Sequence, residues 1–119
     1  MINVKEQVFD QIKSISNNVS DSYPTNWADF PAIQYVEEDN KVYEWVDGEE
    51  SKSYIRFKID IWNNMSTSAC ALLVDKAISA LGLRRTLCQD VADPSGLKHK
   101  VMRYEGIIDV KTQMVYQYN

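Results

Sequence analysis

Between Ser53 and Gly82 the hydrophobic period changes from two to that of a helix, and no other stretch so restricts the folds open to this chain. In Tyr54-Ile55-Arg56-Phe57-Lys58-Ile59-Asp60-Ile61-Trp62, the residues Ile55, Phe57, Ile59 and Ile61 alternate with Arg56, Lys58 and Asp60. That period marks a strand with one face on a core and the other in water. Isoleucine and aromatic residues suit such a half-buried pleated surface. At about 3.3 Å per residue the strand reaches roughly 30 Å, long for a small domain. Asn63-Asn64-Met65-Ser66 ends the alternation and offers Ser66 or Thr67 as a helix N-cap. From Ala69 onward, Ala69, Leu72, Leu73, Ala77, Ala80 and Leu81 predict one broad buried helix face, with Asp75, Lys76 and Ser79 outside. Gly82 follows, where a left-handed residue stops a helix at little steric cost. The expected core therefore sets Ile55, Phe57, Ile59 and Ile61 against Leu73 and Ala77.

The remaining segments pack around this unit. Val4, Val8, Ile12, Ile15 and Val19 form one helical stripe, which predicts a first helix over residues 3–19 with Asn3 as cap. Tyr23-Pro24 closes it, and residues 20–31 form a connector in which Trp27 or Phe30 is expected to pin the loop to the sheet or to a neighbouring subunit. Residues 31–37 and 41–46 read as strands, with a turn at Asp47-Gly48. A fourth strand is expected over Leu83–Gln89 and a fifth from Leu97 to Ile108, joined by a type I turn at Asp93-Pro94-Ser95-Gly96. The tail from Asp109 to Asn119, with Met114, Val115 and Tyr116, is expected to add an edge strand. The expected class is α+β, in the order α-β-β-β-α-β-β. Residues 1–119 form a single domain, a mainly antiparallel sheet of four to five strands with two helices on one face.

Chemistry is sparse. The single histidine, His99, lies between Lys98 and Lys100 and reads as an exposed strand residue, so a catalytic triad or a paired-histidine metal site lacks parts. No serine sits in a glycine-framed elbow, and four glycines without a cluster make no phosphate loop. Cys70 and Cys88 give neither a disulfide framework nor metal spacing, and Cys70 reads as a small buried hydrophobe. The N-terminus has no signal-peptide pattern and no apolar run approaches a membrane span, so a soluble protein of a reducing cytosol is expected. With 17 acidic and 13 basic side chains, sequence-independent binding to nucleic acid is disfavoured.

Charge clustering is the strongest compositional feature. Glu37, Glu38, Asp39, Glu44, Asp47, Glu49 and Glu50 crowd one segment with Lys41 as its only base. Such a segment is a solvated hairpin kept from aggregating by its charge, or an acidic surface that repels DNA or docks a basic partner. Tyr43, Trp45 and Trp62 on or near it suit a protein contact as well as an ordinary sheet face. A second reading of the segment is a small metal-dependent nuclease, with Asp47 and Glu50 holding the cation and Lys52 activating water, since Glu50-Ser51-Lys52 is a Glu-x-Lys triplet.

Four stretches in fixed order add a resemblance. They are Pro31-Ala32-Ile33-Gln34-Tyr35, the Ile55–Trp62 strand, the helix with Val74-Asp75-Lys76-Ala77-Ile78, and Asp93-Pro94-Ser95-Gly96-Leu97 leading into Lys100-Val101-Met102-Arg103-Tyr104. With the first helix they cover most of the chain, which resembles the tail completion proteins of long-tailed bacteriophages and prophages, also called tail terminator or tail-to-head joining proteins. The resemblance implies a non-enzymatic virion assembly protein, a ring that is typically hexameric, capping the tail tube and joining it to the head connector. Its implied partners are other copies of itself, the tail tube protein and head connector proteins, with no specific nucleic acid, no membrane and no cofactor. It implies assembly in the host bacterial cytoplasm and a final place at the head–tail junction of the virion. A head–tail connector component is the alternative within the same resemblance. In such a ring the Glu37–Glu50 hairpin is expected to point toward the axis, where its carboxylates would repel passing DNA, or toward the head-proximal rim.

Overall fold

A computed structural model describes residues 1–113 together with the backbone of Val115 and Tyr116; Met114, which the sequence places in the last edge strand, lies outside the described residues. The elements are α1 (Lys5–Ile12), β1 (Asn18–Ser20), β2 (Ala32–Val46), β3 (Glu49–Asn63), α2 (Ser68–Ser79), β4 (Arg84–Val91), β5 (Lys98–Asp109) and β6 (Val115–Tyr116). The fold is α+β in the expected order. Its sheet runs β1-β2-β3-β5-β4, with β6 also pairing β5. Among the described residues only the β1–β2 pair is parallel.

The strand β3 sits between β2 and β5, and its register fixes the core. Ile59 lies opposite Tyr35 on one side and Met102 on the other; Phe57 lies opposite Glu37 and Tyr104. Ile55, Phe57, Ile59 and Ile61 are fully buried, as the alternation predicts. Both helices cover this face: Val8 and Ile12 of α1 join Val74 and Ile78 of α2 in one apolar cluster with the sheet.

Three features differ from expectation. The first helix stops at Ile12, not near Val19. Ser16 explains the change: its hydroxyl donates to the Pro31 carbonyl at 2.5 Å and accepts from the Asn18 amide at 3.1 Å. Such local bonds offer the backbone an alternative to the helix, and Val19 then pairs with Ile33 in the sheet. Residues 31–37 and 41–46 are one strand, β2, because register shifts after Glu37 and after Val42 absorb the irregular polar run without ending the ladder. Bulges of this kind bend a strand while preserving its pairing. The two-residue turn at Asp47 (φ 53°) and Gly48 (φ 76°) has positive φ at both positions, as a hairpin turn matched to strand twist requires.

The third difference has consequences. In α2 the buried residues are Cys70, Ala71, Val74 and Ile78, whereas Leu72 is 74% and Leu73 54% exposed. Ala77 and Leu81 pack at the margin of the core. The helix carries apolar residues on two arcs; the outer one also carries Lys76, and the inner one brings Asp75 to a buried phenol. Tyr104 is fully buried, and its hydroxyl donates to Asp75 Oδ1 at 2.8 Å; Arg85 reaches the same oxygen at 3.1 Å. A buried phenol needs an acceptor. With Leu72 and Leu73 turned inward, Asp75 would face solvent and Tyr104 would have none.

Ile59→Ala is expected to lower unfolding free energy by about 2–4 kcal/mol through lost burial and a residual cavity. Leu73→Ala should change it by less than about 0.5 kcal/mol, as an exposed site does. Denaturant unfolding of the two variants checks both values.

Candidate functional site

Three surfaces carry the residues singled out by the sequence. The first is the face of the sheet turned away from the helices. Here Arg56, Lys58, Asp60, Arg103 and Glu105 alternate with the apolar core residues, as the period of two requires, and Asp60 is itself buried. Glu38, left unpaired at the β2 bulge, lies between two guanidinium groups: Oε1 accepts from Arg103 Nε at 2.9 Å and from Arg56 Nε at 3.3 Å. Desolvation pushes its carboxyl upward, but the hydrogen bond from Arg103 and the charges of Arg103, Arg56 and Lys58 outweigh it and hold the group below the usual carboxylate range. Beside it Tyr54 donates to Glu105 at 2.5 Å.

At one end of this face His99 is largely buried, not the exposed strand residue expected. Its Nε2 lies 2.8 Å from Asp60 and its Nδ1 3.4 Å from Asp93. Its ring stacks on Trp62 at 4.5 Å, and Trp62 Nε1 donates to Asp93 at 3.1 Å. Hydrogen bonds from the Ser95 hydroxyl hold Asp93 below its ordinary pKa against desolvation, aided by the Ser95 amide, Trp62 and His99. The connector loop closes over this corner: Trp27 meets Trp62 edge-on at 5.6 Å and Tyr23 at 5.5 Å. Trp27 thus pins the loop to the sheet, one of the two outcomes expected of it. Phe30 lines a neighbouring cleft with Tyr23, Trp27, Ser95 and Leu97. Among the described residues the imidazole meets carboxylates and the Trp62 ring but no nucleophile, and the cluster's contacts join β3, β5, the turn and the loop.

The second surface is the end of the β2–β3 hairpin. Pairing with β5 stops at Lys52–Asp109, so the hairpin projects past the rest of the sheet, and the molecule extends 52 Å in its longest direction. The acidic segment is not one continuous field. Glu38 is committed to Arg103 and Arg56. One buried oxygen of Glu37 has no partner and the other accepts from Asn40 at 3.4 Å. Asp39 lies 3.6 Å from Lys41, and Glu44 accepts from Lys52 at 3.0 Å. That bond, with one from Ser51, keeps Glu44 below the ordinary range. Glu50 accepts from Ser53 at 2.5 Å and pairs with the Met1 amino group. Asp47 and Glu49, at the turn, form no ion pair among the described residues. Beside them Trp45 is 61% exposed, and Val42 and Val46 are exposed too.

The third surface is the outer arc of α2, where Leu72 and Leu73 lie with Ala69, Lys76 and Ala80. Sequence reasoning assigned it to the core. The signal that finds it is the near-uniform apolarity of the helix, since a helix apolar on two sides has a second surface to cover.

The nuclease arrangement is not assembled. Asp47 sits in the turn, Glu50 is held by Ser53 and the Met1 amino group, and Lys52 by Glu44. Among the described residues no group of three His, Cys, Asp or Glu side chains is placed to hold a metal ion. Burial pushes the Cys70 thiol up to about 11, so it is an inert core residue, whereas Cys88 is exposed. Among the described residues no helix is long and apolar enough to cross a membrane. Comparison with protein-family models and with curated proteins finds no match for the chain.

Acid should weaken this architecture from the polar face. Glu38 and Asp93 have folded pKa values below their ordinary 4.5 and 3.8. A depressed folded pKa contributes stability that is present above the unfolded value and lost as pH falls through the folded one. Stability should therefore decline from about pH 4.5 downward. In Glu38→Gln and Asp93→Asn variants that decline should be shallower, with neutral-pH stability lower by about 1 kcal/mol. Denaturant unfolding between neutral and acid pH checks the slope.

Proposed function

We propose that the chain is a ring-forming tail completion protein of a long-tailed bacteriophage or prophage, which caps the tail tube and joins it to the head connector. The observation that carries the reading is the ordered set of four motifs, each at a framework position of the fold. Pro31–Tyr35 leads into and opens β2, Ile55–Trp62 forms the inner part of β3, Val74–Ile78 lies in α2, and Asp93–Leu97 makes the turn into β5. The turn is closed by the Gly96 amide donating to the Asp93 carbonyl at 3.0 Å.

Self-association is supported by the surface. A small monomer seldom leaves side chains such as Trp45 and Leu72 largely in water unless they mark a contact. The acidic hairpin suits a partner-facing role better than a lumen lining, because most of its carboxylates are already paired and its exposed tip is apolar as well as acidic. The protein acts in the host bacterial cytoplasm during assembly and then at the head–tail junction. It needs no cofactor for this role and performs no reaction.

The test is a lysate from a phage lacking this coding sequence. Filled heads and separate tails should accumulate, and added purified protein should restore their joining. Capped tails beside heads that leak DNA would instead assign the chain to the connector. Normal virions in its absence would overturn the reading.

A further inference from the structure

We infer that copies of this chain join head to tail, the β2–β3 hairpin tip of one seating on the outer arc of α2 of the next. The contact rests on the self-association proposed above but not on the virion role. Each surface is apolar at its centre: Val42 and Trp45 on the hairpin, Leu72 and Leu73 on the helix. Aromatic and large apolar anchors of this kind supply most of the free energy of a protein contact. Their charged rims are opposite. Asp47 and Glu49 flank the hairpin tip without ion-pair partners among the described residues, whereas Lys76 lies on the helix arc between the leucines and Ala80. On the next flank the carboxylate of Asp75 is paired with Arg85.

A second copy is the occupant these surfaces select. Two hairpin tips facing each other would oppose Asp47 and Glu49 to the same residues, and two helix arcs would oppose Lys76 to itself. Like charges across an interface disfavour both two-fold arrangements. Hairpin on helix pairs acid with base. The two surfaces do not meet within one chain, since α2 packs over the body of the sheet while the hairpin projects beyond it. Two different patches that complement each other across copies make a heterologous interface, which closes into a ring or runs on as a filament.

The experiment uses two variants of exposed residues, Trp45→Ala and Leu72→Asp, with sedimentation of the purified chains across concentration. Matching unfolding curves with the parent show that both fold. The parent should assemble, and each variant alone should need at least about 30-fold more protein to do so. Mixed together they should give an equimolar heterodimer and nothing larger. The intact hairpin of the Leu72→Asp chain meets the intact helix arc of the Trp45→Ala chain, and both remaining surfaces are dead. A parent that assembles while either variant assembles equally well overturns the contact and leaves the ring reading standing. A mixture that stays monomeric overturns the head-to-tail pairing, as does a parent that remains monomeric at roughly millimolar concentration.

Discussion

The hydrogen bond from the buried Tyr104 hydroxyl to Asp75 sets the rotation of α2, and through it which parts of this protein are core and which are surface. Tyr104 lies on β5 opposite Phe57, under the helix, with no exposed surface of its own. Burial and the neighbouring carboxylate both favour the protonated phenol, so the donor is always present. Cys70, Ala71, Val74 and Ile78 then face the sheet, and Leu72 and Leu73 are left outside. The exposed leucines share their arc with Lys76, and turning that arc outward keeps Asp75 on the buried Tyr104 hydroxyl.

Polar commitments organise the opposite face in the same way. Glu38 occupies the β2 bulge, where two guanidinium groups converge on it, and His99 lies between Asp60 and Asp93 with Trp62 against its ring. These contacts join β2, β3, β5 and the Asp93 turn, and Trp27 and Tyr23 against Trp62 tie the connector loop to the sheet end. They leave a central sheet from which the hairpin tip projects, while the outer arc of α2 lies exposed over the body of the sheet.

Much of this was legible in the sequence. The alternation from Ile55 to Ile61 predicted both the strand and the face it buries, and Asp47-Gly48, Gly82 and Asp93–Gly96 marked real turns and stops. Residues whose local preferences agreed with their tertiary setting were readable. The rest depended on partners distant in sequence. Ser16 ends α1 through Pro31, Glu38 keeps β2 continuous through Arg103, and Asp75 turns α2 through Tyr104. His99 looked exposed because its flanking lysines are adjacent in the chain, while Asp60, Asp93 and Trp62, which enclose it, are not. Counting carboxylates between Glu37 and Glu50 likewise missed the cations that neutralise them from β3 and β5.

Native mass spectrometry of the purified chain across concentration tests the central claim, a self-complementary head-to-tail subunit, most directly. Heterologous contacts that close should convert monomer into one discrete ring of fixed subunit number, with no two-fold dimer accumulating on the way. A stable dimer as the end state, or monomer alone at every concentration, would contradict it.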